Sequence, residues 1–442
     1  MTRLLLLELN EINFDHVATY VGMGKLPVLG RLIEKHGVVE TTSEKRYEDL
    51  EPWIQWVTAH TGKTLSEHGV FRLGDIIRHD IQQIWEELEE QGLSVGAISP
   101  MNANNRCRDP AFFLPDPWTP TSVSGSVLLH KLYAAIAQAV NDNAQAKVTL
   151  SSAAWLLIAT AAYARPANYL RYSNLAASAA RGRPWAKALI LDQLLADVFL
   201  RLVRQKKPDF ASLFLNAGAH IQHHYMFNSK AYSGPHENPA WYAKKDSDPV
   251  LEVYELYDRI VGQVERAFSK SRLMLATGLH QEPHPEVTFY WRLKDHASFL
   301  RRINVPFQRV EPRMSRDFVV YCSDETEAAR AASRLREVRA PDRSPLFDVD
   351  NRGADLFVML VWSHDIGDGF EYHIDNRSWR GFREDVAFVA IKNGGHNGTG
   401  YFLDTASAAE PQRTCFELRE LPSKIAAACG VTGNSSVATA QG

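Results

Sequence analysis

Histidine titrates near neutral pH and is the commonest metal-ligating side chain. This chain has sixteen of them. Three groups follow directly on apolar runs of strand length. His220, His223 and His224 come after Pro208–Leu215, with Asn216 opening the segment; His280 comes after Arg272–Ala276; His396 comes after Val386–Ile391 behind Gly394 and Gly395. Small residues beside each histidine let the backbone turn tightly and let a ligand approach. One such histidine is more often structural, but three at equivalent strand ends point to a shared site. A further polar cluster, Asn10-Glu11-Ile12-Asn13-Phe14-Asp15, closes the apolar run 3–9. Ligand sites in open α/β sheets gather at the carboxyl ends of strands, so all four clusters are candidates for chemistry.

The elements that must position them read as an alternation. Residues 24–36 have helical spacing, 38–42 read as a strand, 81–91 as an amphipathic helix and 93–98 as a strand. Pro208–Leu215, Arg272–Thr277, Asp355–Val361 and Val386–Ile391 read as further strands. This predicts an α/β fold with a mainly parallel sheet sandwiched by helices. The expected division is 1–104 as the first part of the core, 105–205 as a helical insertion, 206–282 as core, 283–350 as a small α+β insertion, 351–430 as the end of the core, and 431–442 as a disordered tail. Helices are expected at Ser126–Val140, Leu150–Ala164 and Trp185–Val203, either covering the sheet or capping the active-site edge.

Composition excludes some partners. The 442 residues carry a net charge of −3, which gives no electrostatic case for nucleic acid. No run approaches ~20 apolar residues, so no membrane partner is expected. Cys107, Cys322, Cys415 and Cys429 are scattered without zinc-ribbon spacing. A cytoplasmic location with reduced thiols is the default expectation.

The order of segments resembles the alkaline phosphatase superfamily, most closely its type I phosphodiesterase/nucleotide pyrophosphatase branch. The matching pieces are Leu4–Asn10, Glu51–Gly62 with its closing Thr61-Gly62, Ser66–Val70 with His68-Gly69-Val70, Asn216/His220, Leu279/His280 and Gly394-Gly395-His396. The resemblance implies an alkaline phosphatase-like fold. It also implies that one metal position falls on Asn216, His220 and His396. The other falls on Asn10, a nucleophile position at Pro52, Leu279 and His280. Three carboxylates and the nucleophilic hydroxyl of the family pattern are therefore absent here.

Carboxylates normally offset the repulsion between two close divalent ions. The expectation is at most one divalent ion, zinc first, on Asn216, His220 and His396; a metal-free site stays open. Glu51 or Glu11 would supply a carboxylate if the register shifts slightly. Glu51, His280 and Asn10 are the catalytic candidates, with Glu51 open as ligand, base or nucleophile, or as a plain helix-start carboxylate. Trp53, Lys45 and Arg46 are the substrate-binding candidates, the cations as partners for phosphate or sulfate. Trp53 and Trp56 also suit a core, and His223 and His224 help to shape the pocket. The expected function is hydrolysis or group transfer on a phosphorylated or sulfated small molecule, such as a nucleotide or sugar derivative. The alternative is a non-catalytic scaffold for binding or assembly. Oligomeric state is not legible.

Overall fold

The computed structural model describes residues 2–141, 149–313, 316–375, 377–409 and 415–431. The tail expected to be disordered lies, from residue 432 on, outside them. The chain forms two compact units, one of residues 1–283 with 394–442 and one of His284–Asn393.

The first unit is built on eight strands: β1 (Leu4–Leu9), β2 (Val39–Thr42), β3 (Val95–Ile98), β4 (Phe112–Leu114), β5 (Phe210–Leu215), β6 (Arg272–Ala276), and two late strands numbered below as β15 and β16. The chain leaves this unit along β7 (His280–Leu293). In the second unit it makes β8 (Arg309–Pro312), β9 (Asp317–Tyr321), β10 (Phe347–Asn351), β11 (Asp355–Leu360), β12 (Tyr372–Ile374) and β13 (Arg377–Trp379). It returns along β14 (Val386–Asn397) into β15 (Thr399–Asp404) and β16 (Cys415–Glu417). The large sheet has the order β16-β2-β15-β6-β1-β5-β3-β4. Its central pairs β6–β1, β1–β5, β5–β3 and β3–β4 are parallel, and only β15 runs against its neighbours.

Alternation along β1 explains the two helical layers. Leu5, Leu7 and Leu9 enter one core with helices Phe14–Gly22, Pro27–His36, Ala186–Lys206, Ala217–Tyr225 and Pro249–Ala267. Leu4 and Leu6 enter another with Trp56, Trp85 and Ile425 from helices Pro52–Thr61, Ile84–Glu90 and Leu421–Ala428. A strand buried on both faces reads as a continuous apolar run, which is why LLLLEL carried a clear signal. Its one acidic residue, Glu8, is buried and its Oε1 lies 2.9 Å from His60 Nε2, so the carboxyl group has a hydrogen-bond partner inside the core.

Segment 105–205 holds helices Val127–Asn141, Leu150–Tyr163, Tyr169–Ala180 and Ala186–Lys206, and also the edge strand β4. Of the two roles left open for it, covering the sheet holds for Ala186–Lys206, whose Leu194, Val198 and Phe199 join the core of β1 and β5. One expectation is corrected. Residues 351–393 belong with the small unit, because β11 pairs antiparallel with β9 and β10 in a four-stranded sheet of order β10-β11-β9-β8. Its core gathers Phe299, Phe318, Leu335, Phe347, Leu356 and Phe382. An apolar strand does not reveal from its own sequence which sheet it joins.

Candidate functional site

β1 ends between the carboxyl ends of β5 and β6. The Asn10 amide donates to Leu215 O at 3.1 Å and the Glu11 amide to Thr277 O at 3.1 Å. Because β15 is antiparallel, the residues that precede it reach the same edge, which brings in His396. Helix Ala217–Tyr225 starts directly after β5 and delivers His223. Its first turn is anchored by buried Asp192, whose Oδ2 accepts from the Ala217 amide at 2.8 Å and from Tyr257 Oη at 2.6 Å.

Three ligating atoms converge there. Glu11 Oε2 lies 3.3 Å from His223 Nε2 and 3.2 Å from His396 Nε2, and the two Nε2 atoms lie 3.3 Å apart. Glu11 is held from every side. Gln281 Nε2 donates to its Oε2 at 2.5 Å, Asn10 Nδ2 to its Oε1 at 3.0 Å, and Gln222 Nε2 to its backbone carbonyl at 2.8 Å. Its backbone has φ 60°, in the left-handed region, which is uncommon for a residue with a side chain. That conformation turns the side chain at the strand end toward the two histidines. Side-chain exposure rises from 2% at Glu11 to 13% at His396 and 29% at His223, so the triangle opens to solvent on the histidine side.

Burial by itself pushes a carboxyl pKa upward. At Glu11 the charges of His396 and His223, with their hydrogen bonds, outweigh it and hold the group well below the usual carboxylate range. Glu11 is therefore an anion at neutral pH. The far ring nitrogen of His223 is engaged, Nδ1 lying 3.3 Å from Gly394 O, while Glu51 Oε2 lies 3.8 Å from His396 Nδ1, too far for a direct hydrogen bond. Metal-ligating histidines commonly direct the second ring nitrogen at a carbonyl or carboxylate, as His223 does.

A bound ion is testable on this geometry. Two imidazoles and one carboxylate are a known zinc donor set, and tetrahedral bonds of ~2.0–2.1 Å separate neighbouring ligand atoms by about 3.3 Å. The three observed separations match, so the residues fit one ion. Among the described residues this is the one cluster of three or more such groups with that spacing.

The expected site residues are distributed as follows. His396 is in the triangle. His220 is exposed, its ring 4.8 Å from that of His224 and outside the triangle. Asn216 Oδ1 accepts from Asn10 Nδ2 at 2.8 Å, and Asn10 Oδ1 accepts from Trp56 Nε1 at 2.7 Å. The two asparagines thus brace Glu11, and the ligand geometry shifts from Asn216 and His220 to Glu11 and His223. His280 is buried, with Nδ1 2.6 Å from Thr399 O and Nε2 3.6 Å from Glu282 Oε1. Glu51 stands at the N-cap of Pro52–Thr61, where Pro52 takes the first helical position. Trp53 directs its indole N–H to Phe71 O at 3.1 Å; Trp56, not Trp53, reaches the cluster. Lys45 is exposed, and Arg46 is paired with Glu48 and Asp49.

Gln281 and Gln222 are not legible in the sequence, because a glutamine carries no chemical signature there. Glu11 and His223 are expected only as an optional carboxylate and a pocket-shaping residue. The signal in the sequence is a carboxylate two residues past the strand end and a histidine one helical turn past another.

No family model and no curated protein matches this chain. Solved structures similar to it include the phosphonoacetate hydrolase of Sinorhizobium meliloti in complex with phosphonoacetate, at 12% identity and a TM-score of 0.45, covering 97% of this chain and 96% of that one. Murine ectonucleotide pyrophosphatase/phosphodiesterase 5 in complex with AMP gives 11% identity and a TM-score of 0.45, covering 98% and 96%. The human form of the latter gives 12% identity and a TM-score of 0.44, covering 98% and 96%.

Proposed function

We propose that the chain is a divergent alkaline phosphatase-superfamily enzyme that works on a phosphorylated or sulfated small molecule, by hydrolysis or group transfer, at a histidine-rich site with a single metal position. The observation that carries this reading is the convergence of Glu11 Oε2, His223 Nε2 and His396 Nε2 within 3.3 Å at the carboxyl edge of the sheet.

The triangle would hold one divalent ion, zinc being the first choice for this donor set. When bound, such an ion polarises a phosphoryl or sulfuryl oxygen and acidifies water. The protein's own groups do the rest. Glu11 supplies one fixed negative charge, enough for one ion and not for a close pair. Gln281 and Asn10 keep that carboxylate from rotating. In this reading Glu51, 3.8 Å from His396 Nδ1, would favour the tautomer in which Nε2 is free. Pro52 has no nucleophilic atom, so transfer proceeds straight to water or to an acceptor without a covalent intermediate on that residue. In this reading His280, whose Nδ1 lies 2.6 Å from Thr399 O, would help to stabilise developing charge.

The test is metal content and turnover measured together. Purified protein is expected to hold one equivalent of zinc, manganese or iron, to lose it in His223→Ala, His396→Ala and Glu11→Gln, and to keep it in His220→Ala. Aryl phosphates, phosphodiesters and aryl sulfates are then assayed with the loaded protein. Metal-free wild-type protein that turns over none of them would overturn the reading.

A further inference from the structure

Asn216 is expected from the sequence as a metal ligand, a role open only to its Oδ1, because an amide nitrogen has no free lone pair. The hydrogen bonds around it commit that oxygen elsewhere. Trp56 Nε1 can only donate, and it meets Asn10 Oδ1 at 2.7 Å. The ionised carboxylate of Glu11 can only accept, and its Oε1 takes Asn10 Nδ2 at 3.0 Å. Two neighbours of opposite kind thus fix the Asn10 amide in one orientation, and Asn10 and Trp56 are both wholly buried. The remaining N–H of Asn10 is directed at Asn216 Oδ1, 2.8 Å away. The Asn216 oxygen is thereby used, and its NH2 stands on the other branch of the amide.

That NH2 has no hydrogen-bond partner among the described residues, and it is not among their buried unpaired atoms, so it is open to solvent. Asn216 itself is half-buried, between β5 and helix Ala217–Tyr225. The first backbone donors of that helix are taken, the Ala217 amide by Asp192 Oδ2 at 2.8 Å and the Gly218 amide by Tyr257 Oη at 2.9 Å. One Asn10 NH2 group serves both Glu11 Oε1 and Asn216 Oδ1, so the Asn216 amide lies directly beside the carboxylate of the triangle. We infer that Asn216 Nδ2 donates a hydrogen bond to an oxygen of the tetrahedral oxyanion that the site takes, a phosphate or sulfate ester, and that Trp56 and Glu11 orient it through Asn10. This rests on the reading of the triangle as the centre of a phosphoryl or sulfuryl site. A carboxylate at position 216 would turn lone pairs toward an anionic oxygen, where the amide turns a proton. Asn216 is then a substrate-binding donor and no metal ligand.

The experiment separates anion binding from metal binding. Asn216→Asp is isosteric: it keeps an oxygen for Asn10 and turns the free donor into a charged acceptor. Asn216→Ala removes the donor and adds no charge. Binding of inorganic phosphate and of inorganic sulfate to the full chain is measured by calorimetry, with zinc affinity measured on the same preparations. Wild type is expected to bind at least one of the two anions. The dissociation constant is expected to rise about tenfold or more in Asn216→Ala, the effect of losing a hydrogen bond to a charged group, and further in Asn216→Asp, where repulsion is added. Zinc affinity is expected to stay unchanged in both. Circular dichroism and Tm identify folded variants, and Asn216→Ala carries the test alone if the aspartate variant does not fold. Unchanged anion affinity in either folded variant overturns the inference. So does a loss that only follows an equal loss of zinc affinity, since Asn216 would then merely brace Glu11, and so does wild type that binds neither anion. Wild type that binds the anion through Asn216 yet holds no metal would keep this inference and sink the single-metal reading, so the two fail separately.

Discussion

At the scale of single residues, the site turns on what surrounds Glu11. A lone carboxylate at a strand end is free to rotate, and a metal position made of one acid and two imidazoles needs it fixed. Gln281 does most of that, since its Nε2 also donates to Ala219 O at 3.0 Å and is thereby locked in place. Replacing Gln281 with Leu keeps the volume but removes the donor that faces Glu11 Oε2. Zinc affinity measured by calorimetry is expected to fall about 10–100-fold, the usual effect of losing a residue that orients a ligand. An unchanged affinity would show that Asn10 alone suffices. His68 illustrates the opposite case, a histidine with a structural position. The Val70 amide donates to its Nδ1 at 3.0 Å and Thr58 Oγ1 lies 3.3 Å from Nε2, which fixes a neutral tautomer.

At the scale of elements, the approach of β14 to helix Ala217–Tyr225 sets the triangle. Gly394 is the contact point. A Cβ built there would lie 2.0 Å from Gln281 Oε1 and 3.1 Å from Gln222 O, so no side chain fits while both glutamines hold Glu11. Gly394→Ala is therefore expected to displace Gln281, to cost about 1–3 kcal/mol of stability by overcrowding, and to weaken metal binding in the same variant. Urea unfolding and metal titration check the two effects separately. Gly278 has the same logic on the other flank, with φ +73° and Trp56 at 3.0 Å from a hypothetical Cβ. The turn after β6 is thus shaped to seat the indole that bonds Asn10.

At the scale of the whole molecule, buried titratable groups set an acid limit. Burial pushes His16 and His68 each from 6.5 down to about 4. A histidine with a lowered folded pKa contributes stability that is full above 6.5 and is lost as pH falls toward 4. At 1.36 kcal/mol per unit each is worth on the order of 3 kcal/mol. Asp192 works the other way: burial raises it from 3.8 to about 6, so its contribution is full below 3.8 and is lost as pH rises through 6. Wild-type stability is expected to drop between pH 6.5 and 4, less than the histidines alone would give. His68→Asn should flatten that drop, and Asp192→Asn should steepen it. The urea midpoint followed against pH reads both signs.

The sequence by itself determined the layered α/β core, because a strand buried on both faces must be apolar throughout and β1 is. It also determined that histidines gather at strand ends, and that Asn10, Pro52, Asn216 and Leu279 carry neither a carboxylate nor a hydroxyl. Which histidine meets which carboxylate was decided only by tertiary structure. His220 and His223 lie one turn apart on one helix and are equivalent by spacing. The bond from His223 to Gly394 O and the left-handed backbone of Glu11 separate them. The fate of β11 was equally hidden, since its apolar alternation suits either sheet and only its partners β9 and β10 assign it. Local sequence fixes which face of an element is buried; the register between distant elements fixes which atoms come within 3.3 Å, and that register belongs to the whole chain.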